Sequence, residues 1–276
     1  MNCKIVSDSS ANLLELKNAP FLSVPLHILV DGQDFTDDAN LDLDAMQNAL
    51  SAAKGASSSS CPNVYDWTEA FGGAGAVFCV TITSALSGSY ASACAAKEMY
   101  EKENPGRVVY VLDSLSTGPE MVLLIEKLQS LIASGMNPAE IYREVLAYRE
   151  RTHLFFSLSS LDNLAKNGRV SPLIAKGMGL MGIRLVGKAN EKGVLQPVNT
   201  VRGDKGAVAR LIWHMKKARY KGGRVVIAHN RNAPGAAALK SAIVEAFRDF
   251  NGFIHETRGL CSYYAEPQSL MLGFEA

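Results

Sequence analysis

The sequence predicts an α/β protein with two lobes, and three features of the chain lead to this prediction. Short apolar runs alternate with segments of helical pattern, several helices have recognisable ends, and a loop-rich stretch divides the chain near its middle. Alternation of strands and helices over most of a chain is typical of α/β folds with at least one mostly parallel sheet. No internal repeat is visible in the sequence.

The predicted strands are short, apolar and rich in β-branched residues. Three lie in the N-terminal half: CKIVSD (3–8), AVFCVTI (76–82) and RVVYVLD (107–113). Two follow in the C-terminal half: RVVIAHN (224–230) and FIHET (253–257). Their spacing leaves room for a helix between most successive strands, as an α/β fold requires.

The predicted helices are recognised by their ends. The helix over 119–134 stops before Gly135, because glycine adopts the left-handed conformation that commonly follows a helix. Asn137 and Pro138 supply an N-cap and a first-turn proline for the next helix, which runs to about residue 151. Three further helices begin near residues 87, 204 and 234.

The boundary between the lobes is predicted between residues 150 and 172. A long helix ends there, the apolar segment HLFFSLSSL follows, and KNGRVSP contributes residues typical of loops. We therefore expect residues 1–150 to form an N-terminal α/β lobe and residues 151–276 a C-terminal α/β lobe.

Composition indicates a folded cytoplasmic protein. Hydrophobic residues make up 47% of the 276 residues and charged residues 20%, which is enough apolar material for a sizeable core. A formal net charge of +1 does not indicate the strongly basic surface typical of nucleic-acid-binding proteins, so no nucleic-acid partner is expected. The sequence has no apolar signal region and no run of about 18 apolar residues, which argues against a membrane-spanning segment.

Motifs for catalysis and metal binding are missing from the sequence. The five cysteines are scattered without a CxxC pair, and the five histidines lack metal-ligand spacing. The GxSxG and GxxxxGK[ST] patterns are absent as well. We therefore predict no metal, no cofactor and no catalytic residue, and binding is favoured over catalysis.

Polar residues follow three predicted strands at the point where each strand ends. Residues 7–10, 83–89 and 113–118 are rich in hydroxyl groups and glycine and precede predicted helices. Ligands of open α/β sheets bind beyond the carboxyl ends of the strands, where helix N-termini favour anions. Ordinary N-capping explains any one of these loops, but three at one sheet edge favour a shared anion site.

The segment GASSSSCPN (55–63) has two interpretations. Its composition is typical of a flexible linker, and taken alone it favours that reading. The alternative is a set of hydroxyl donors placed to hold a ligand. Its position relative to the other motifs decides between the two.

Taken in order, these segments resemble the DegV family. They are KIVSDSSANL, PLHILVDGQDFTDD, SSSSCP, TITSALSGSYASA, VLDSLSTG, NLAKNGRVS and, at the C-terminal end, LMLGFEA. The strongest is LSGSYASA (86–93), in which only Ser89 replaces the usual threonine. The resemblance covers essentially the whole chain.

The resemblance implies both a fold and a function. The fold would have a mostly parallel sheet in the N-terminal lobe, a mixed sheet in the C-terminal lobe and the ligand between the lobes. The function would be to bind one long-chain fatty acid without catalysis and to present its carboxylate to an ATP-binding kinase subunit of a bacterial fatty acid kinase. Peripheral contact with a membrane stays open.

The resemblance also assigns the residues that would hold the fatty-acid carboxylate. The donors carried over are Ser57 and Ser58 in the serine run and the turn at Ser87 and Gly88. In the family a C-terminal histidine completes the set, and its position here falls on Tyr264. Tyrosine donates a hydrogen bond but does not become cationic. Either Tyr264 substitutes for the histidine or the ligand differs.

Further departures and contacts follow from the same comparison. Glu266 and Gln268 replace the glycines of the family's G-P-G segment, so the backbone chemistry of that loop has changed. Arg169 is expected at the head group or the partner surface, with a salt bridge between the lobes as the alternative. Arg202 is expected on the partner-facing surface, and Asp8 and Asp113 are expected to brace loops rather than contact the ligand.

Apolar residues of the second lobe would line the slot for the acyl tail. They are Phe155, Phe156, Leu158, Ile174, Met178, Leu180, Met181, Ile183 and Leu185. A core helix and strand explain the same segment without a ligand. Two other functions stay open: a diverged binder of another lipid or carboxylate, and a hydrolase that uses the clustered hydroxyls.

Overall fold

The computed structural model describes residues 2–173 and 182–276, and the fold is α/β as predicted. The strands are β1 (Cys3–Asp8), β2 (Phe21–Val24), β3 (His27–Val30), β4 (Gln33–Thr36), β5 (Ser57–Ser60), β6 (Ala76–Thr81), β7 (Val108–Asp113), β8 (Thr152–Leu158), β9 (Ile183–Ala189), β10 (Leu195–Arg202), β11 (Val225–Asn230), β12 (Gly252–Glu256) and β13 (Ser269–Glu275). The helices are α1 (Leu43–Ala52), α2 (Val64–Phe71), α3 (Ser89–Glu103), α4 (Pro119–Ala133), α5 (Pro138–Arg149), α6 (Asp162–Lys166), α7 (Gly203–Lys217), α8 (Ala233–Phe247) and α9 (Gly259–Ala265).

The N-terminal part of the chain contains a parallel sheet of four strands in the order β2-β1-β6-β7. All six residues of β6 are buried, as the continuous apolar run predicts for a central parallel strand. Because the strands are parallel, the polar loops after β1, β6 and β7 meet at one edge of the sheet. This edge is where the sequence pattern favours an anion site.

The C-terminal part contains a mixed sheet of six strands in the order β10-β9-β8-β13-β11-β12. Only β11 and β12 are parallel, and the other neighbours are antiparallel. The apolar segment that marks the predicted boundary forms β8, a central strand of this sheet. Helix α5 ends at Arg149 and β8 begins at Thr152, and the division at residue 150 stays a prediction.

A third sheet was not predicted from the sequence. Strands β4, β3 and β5 form a small antiparallel sheet, and the serine run is its strand β5 rather than a loop. Serine has low strand propensity and four identical residues carry no apolar alternation, so the local sequence gives no strand signal. Pairing with the apolar strand β3 decides the conformation instead.

Helix α4 lies between the two large sheets and contacts strands of both. Its buried side chains cover more than one face and include Met121, Leu123 and Leu124, each fully buried. A helix that is apolar on all sides must be enclosed by other elements. The helix therefore joins the two halves of the molecule through a shared core, which also contains Val226 and Leu260.

No helix among the described residues combines the length and hydrophobicity needed to cross a membrane.

Four predicted slot residues (Ile174, Met178, Leu180 and Met181) lie outside the described residues.

Substituting Gly273 in β13 with alanine is expected to destabilise the fold. An added Cβ would lie 2.7 Å from the carbonyl carbon of Pro119 and 2.8 Å from the amide nitrogen of Glu120. Backbone atoms cannot move aside as a flexible side chain can, so overpacking should lower the free energy of unfolding by about 1–3 kcal/mol. Urea denaturation measures this change.

The matched control is Gly206→Ala in α7, where the added Cβ would meet Val201 at an ordinary contact distance of 3.4 Å. Alanine is the better helix former, so this variant should gain about 0.5–1 kcal/mol. An unchanged urea midpoint for Gly273→Ala would contradict the close approach of β13 to α4.

Candidate functional site

A cavity of about 270 Å³ lies where the two halves of the chain meet. Its lining from the first half is Leu26, Ser59, Ser60, Cys61, Ile82, Leu86, Ser87, Gly88 and Thr117, and from the second half Phe156, Leu158, Leu164, Arg169, Leu195, Leu260, Cys261, Tyr264, Ala265 and Met271. Most of these residues are apolar. The hydroxyl groups come from β5, from the loops after β6 and β7, and from Tyr264, and the guanidinium is that of Arg169.

The serine strand places its side chains alternately, as any β-strand does. Ser57 and Ser59 are half-buried, whereas Ser58 and Ser60 are exposed. The Oγ atom of Ser59 is 2.8 Å from Oη of Tyr264, and both residues line the cavity. Strand β5 therefore delivers Ser59 to the cavity.

The two serines chosen from the sequence lie elsewhere in the described structure. The hydroxyl of Ser57 accepts a hydrogen bond from Tyr263 at 2.9 Å, and Ser58 faces outward; neither is among the lining residues. Asn167 in turn donates to Oη of Tyr263 at 2.8 Å. Ser57 thus connects β5 to α9 and to the loop after α6. A run of identical serines does not show which member faces a site. The hydrogen bonds that link Ser57 to Tyr263 and Tyr263 to Asn167 join distant parts of the chain, and the sequence analysis did not predict them.

The turn at Ser87 and Gly88 contributes the start of α3. Gly88 is the N-cap residue and provides no side-chain hydrogen bond, while Ser87 Oγ accepts from the amide of Ser89 at 3.2 Å. A Cβ on Gly88 would lie 3.3 Å from Sγ of Cys61, so glycine lets this turn approach β5 closely. The N-terminus of a 15-residue helix, with its partial positive charge, thereby borders the cavity.

Asp8 stabilises this turn through hydrogen bonds to residues on either side of it. Its carboxylate is fully buried and accepts from the amide of Ile82 at 2.8 Å and from the hydroxyl of Ser89 at 2.6 Å. Burial raises the pKa of Asp8, and these hydrogen bonds oppose that effect. Asp113 braces the neighbouring loops by accepting from the amides of Ser84 and Leu115. Both aspartates brace loops, and neither is among the described lining residues of the cavity.

Tyr264 reaches the cavity from α9, a short helix held by a buried carboxylate. Asp37 is 1% exposed and accepts from the amides of Gly259 and Leu260, each at 2.9 Å. Burial raises the pKa of Asp37, while these amides and the nearby Arg258 guanidinium act to lower it. Asp37 therefore fixes the first turn of α9, and with it the position of Tyr264.

The loop after α9 retains the backbone conformation that glycine favours. Glu266 and Gln268 have φ values of 57° and 67°, in the left-handed region. Such a conformation is strained for residues with a side chain, and hydrogen bonds hold it. The Glu266 carboxylate accepts from the amide of Asn163 at 3.1 Å, and the Gln268 amide group donates to the carbonyl of Arg231 at 2.8 Å.

The two predicted arginines occupy different environments. Arg169 lines the cavity and crosses between the halves, where its Nε donates to the carbonyl of Leu86 at 2.9 Å. Its guanidinium donates to backbone carbonyls and not to a carboxylate. Among the described residues Arg169 therefore does not form the salt bridge between the lobes that was the alternative expectation. Arg202 is exposed at the end of β10, apart from the described lining.

The predicted tail residues divide between the two faces of the C-terminal sheet. Phe156 and Leu158 line the cavity. Phe155 points to the opposite face, where it packs in the core with Val186 and Leu211. Leu185 and Ile183 pack in the cluster around Phe156 without appearing in the described lining.

The polar groups at the cavity can hold an anion but do not assemble a nucleophile. Arg169 is the one charged side chain in the described lining, which contains no histidine or carboxylate. Burial raises the pKa of Cys61, and burial raises that of Cys261 to about 12, so both thiols stay protonated near neutral pH. Within the described parts of the chain, no cluster of side chains is suited to hold a metal ion.

Comparison with known proteins shows the same fold throughout. A DegV domain-containing protein of Streptococcus pneumoniae (strain ATCC BAA-255 / R6) is 44% identical over 279 residues, which cover 100% of this chain and 99% of its own. The crystal structure of the S. pneumoniae Fatty Acid Kinase (Fak) B3 protein loaded with linoleic acid matches with a TM-score of 0.97 and 44% identity over 100% of this chain and 99% of that one.

A DegV family protein from Eubacterium eligens loaded with heptadecanoic acid also has a TM-score of 0.97, with 39% identity over 99% of each chain. The family model described as "Uncharacterised protein, DegV family" matches residues 2–276. The chain therefore belongs to the DegV family.

Proposed function

We propose that this protein binds one long-chain fatty acid in the cavity between its two halves and presents the carboxylate to an ATP-binding kinase subunit. The observation that carries the proposal is a cavity lining that combines several hydroxyl groups and one guanidinium with a larger set of apolar side chains. The relatives support the same ligand class, since two are fatty-acid-loaded and one bears the name of a fatty acid kinase protein.

The apolar segment supplies the driving force for binding the tail. Each buried methylene gains roughly 0.8 kcal/mol, so a long acyl chain favours a deep apolar slot. The side chains of Leu26, Ile82, Phe156 and Met271 come from both halves of the chain and surround this segment. Gly187 leaves room for Phe156, because a Cβ added to Gly187 would lie 2.3 Å from the Phe156 ring.

The polar segment offsets the cost of burying the carboxylate. A carboxylate without donors costs several kcal/mol to remove from water. Ser87, Gly88 at the start of α3, and the hydroxyls of Ser59 and Tyr264 can donate to it, and Arg169 supplies positive charge. In this arrangement Ser59 takes the part that the sequence motif gave to Ser57 and Ser58, and Tyr264 substitutes for histidine as a neutral donor.

The hydroxyls of Ser59 and Tyr264 suit a site whose polar groups need hydrogen-bond partners both with and without ligand. In the structure the two groups bond to each other at 2.8 Å, so neither is left without a partner. A carboxylate oxygen placed between them would accept one hydrogen bond from each. Binding then exchanges one hydroxyl–hydroxyl bond for two charge-assisted ones.

The other two functions have weaker support. A hydrolase needs a base beside its serine or cysteine, and the described lining offers no histidine. Another lipid or carboxylate would use the same polar and apolar segments, so chemical identification of the ligand separates it from a fatty acid.

The first experiment identifies what the protein carries. Protein purified from bacteria is denatured and extracted, and the extract is analysed by mass spectrometry. We expect a long-chain fatty acid in an amount approaching one per chain. A preparation without fatty acid that also fails to take up added oleate would contradict the proposal, and a different lipid would favour the diverged binder.

Removing the hydroxyl of Ser87 is expected to weaken fatty-acid binding by about 1–3 kcal/mol, because a buried acceptor then loses a donor. Competition with a fluorescent fatty acid measures the change for Ser87→Ala. Ser58→Ala is the matched control, since Ser58 is exposed on β5 and lies outside the described lining. Equal affinities for the two variants would exclude Ser87 from the carboxylate site.

The kinase partnership is tested by product formation. Loaded protein, ATP and the purified kinase subunit should yield acyl phosphate, which hydroxylamine traps as a hydroxamate. Arg202→Ala should lower this yield severalfold while leaving the fatty-acid content unchanged, since Arg202 is exposed and apart from the cavity. Arg143→Ala, a change at another exposed arginine, is the control. Equal yields from the two variants would remove Arg202 from the partner surface.

A further inference from the structure

A second cavity of about 480 Å³ lies at the start of strand β8. Residues 152–155 of the strand line this cavity, whereas Phe156 and Leu158, further along the strand, line the first. The other walls of the second cavity come from the loop after β7, the end of α5, strand β9 and the last turn of α7. A cavity of this size accommodates a small molecule.

The lining of the second cavity differs from that of the first because it is rich in cationic and titratable side chains. Lys188, Lys217 and Arg149 border it together with His153 and His214. Such a lining cannot bury an acyl chain favourably, since the charged groups would lose water without gaining partners. The cavity is therefore not an extension of the fatty-acid slot.

Lys188 and Lys217 are the lysines of this lining. Burial lowers the pKa of His153 and of His214, which favours their neutral form; the charge of Lys188, and for His214 also that of Arg210, acts in the same direction. No carboxylate among the described residues pairs with Lys188 or with Lys217. Lysines that border a concave site and have no paired carboxylate attract an anion.

The acidic residues of this cavity do not neutralise that group. Glu150 is paired with Arg149 at 3.1 Å, and Glu191 is exposed at the rim. Glu120 is 6% exposed and accepts from the hydroxyl of Thr152 at 2.7 Å. Burial raises the pKa of Glu120 to about 7, so a large share of this carboxyl group is protonated and uncharged near neutral pH.

Arg149 is fixed in place at the inner wall. Its Nη1 donates to the carbonyl of Asp113 at 2.8 Å and its Nη2 to Glu150, while its buried Nε has no hydrogen-bond partner in the described structure. Its two Nη contacts therefore hold the guanidinium at the cavity wall.

We propose that this second cavity binds a small anion bearing phosphate or carboxylate groups. Lys188 and Lys217 are the cations that meet the anion, Arg149 supplies a fixed positive charge at the inner wall, and the Thr152–Glu120 pair provides polar contacts for the rest of the molecule. The site is independent of the fatty-acid cavity and of the function proposed for it.

The test uses three probes of known chemistry: inorganic phosphate, pyrophosphate and citrate. Isothermal titration calorimetry of the whole protein should show saturable binding of at least one of them, beyond the effect of potassium chloride at equal ionic strength. A preference for pyrophosphate over citrate would identify phosphate as the recognised group, and the reverse would identify carboxylate.

Lys188→Gln should weaken this binding about tenfold or more, the loss expected for a charge-assisted contact. Lys217→Gln should weaken it in the same direction, which keeps the test valid if the first variant folds poorly. Lys216→Gln, which changes the adjacent lysine of α7 outside the described lining, is the control and should bind as the wild type does.

Two results would overturn the proposal. One is the absence of saturable binding for all three probes, and the other is equal affinity in the variants at positions 188, 217 and 216. Fatty-acid content is measured on the same preparations, so failure at this site is distinguishable from failure of the fatty-acid proposal.

Discussion

The buried carboxylate of Asp37 is the contact on which the geometry of the candidate site depends most. It lies just after β4 of the small sheet and accepts hydrogen bonds from the first two amides of α9, more than two hundred residues later in the chain. A buried acceptor that satisfies two helix N-terminal amides is costly to replace. A side chain on Gly259 would meet Asp37 at 2.7 Å, so glycine allows this contact.

From this contact the two tyrosines of α9 take different directions. Tyr263 is fully buried and ties Ser57 to the loop after α6, and Tyr264 faces the cavity beside Ser59. These hydrogen bonds therefore fix the positions of the small sheet, α9 and the loop that carries Arg169 relative to one another. This arrangement brings the hydroxyls of Ser59 and Tyr264 to the cavity, together with the Arg169 guanidinium and the start of α3.

Much of the fold was predictable because its signals are local. The apolar runs of β1, β6 and β7 and the caps of α4 and α5 predicted the parallel sheet and its neighbours correctly. The polar loops at the ends of those strands indicated where a site would lie. The Ser87–Gly88 turn, Arg169 and Tyr264, named from the family motif, all border the cavity.

The remaining features depend on contacts between distant residues and carry no local signal. The serine run becomes a strand only because β3 pairs with it, and its last two serines, Ser59 and Ser60, line the cavity rather than the two before them. Glu266 and Gln268 adopt a backbone conformation that their residue types disfavour, because hydrogen bonds from other segments hold them. The second cavity draws its cations from three separate elements, and their spacing in sequence shows no motif.

The most direct measurement of the central claim is carbon-13 NMR of carboxyl-labelled palmitate bound to the protein. A carboxylate held by Ser87, Ser59, Tyr264 and Arg169 should give one resonance, distinct from free palmitate, that stays ionised as the pH is lowered through the range in which free acid in micelles becomes protonated. The resonance should shift in Tyr264→Phe and stay in place in Ser58→Ala. A bound resonance that titrates like micellar palmitate, or one that is identical in the two variants, would contradict the claim.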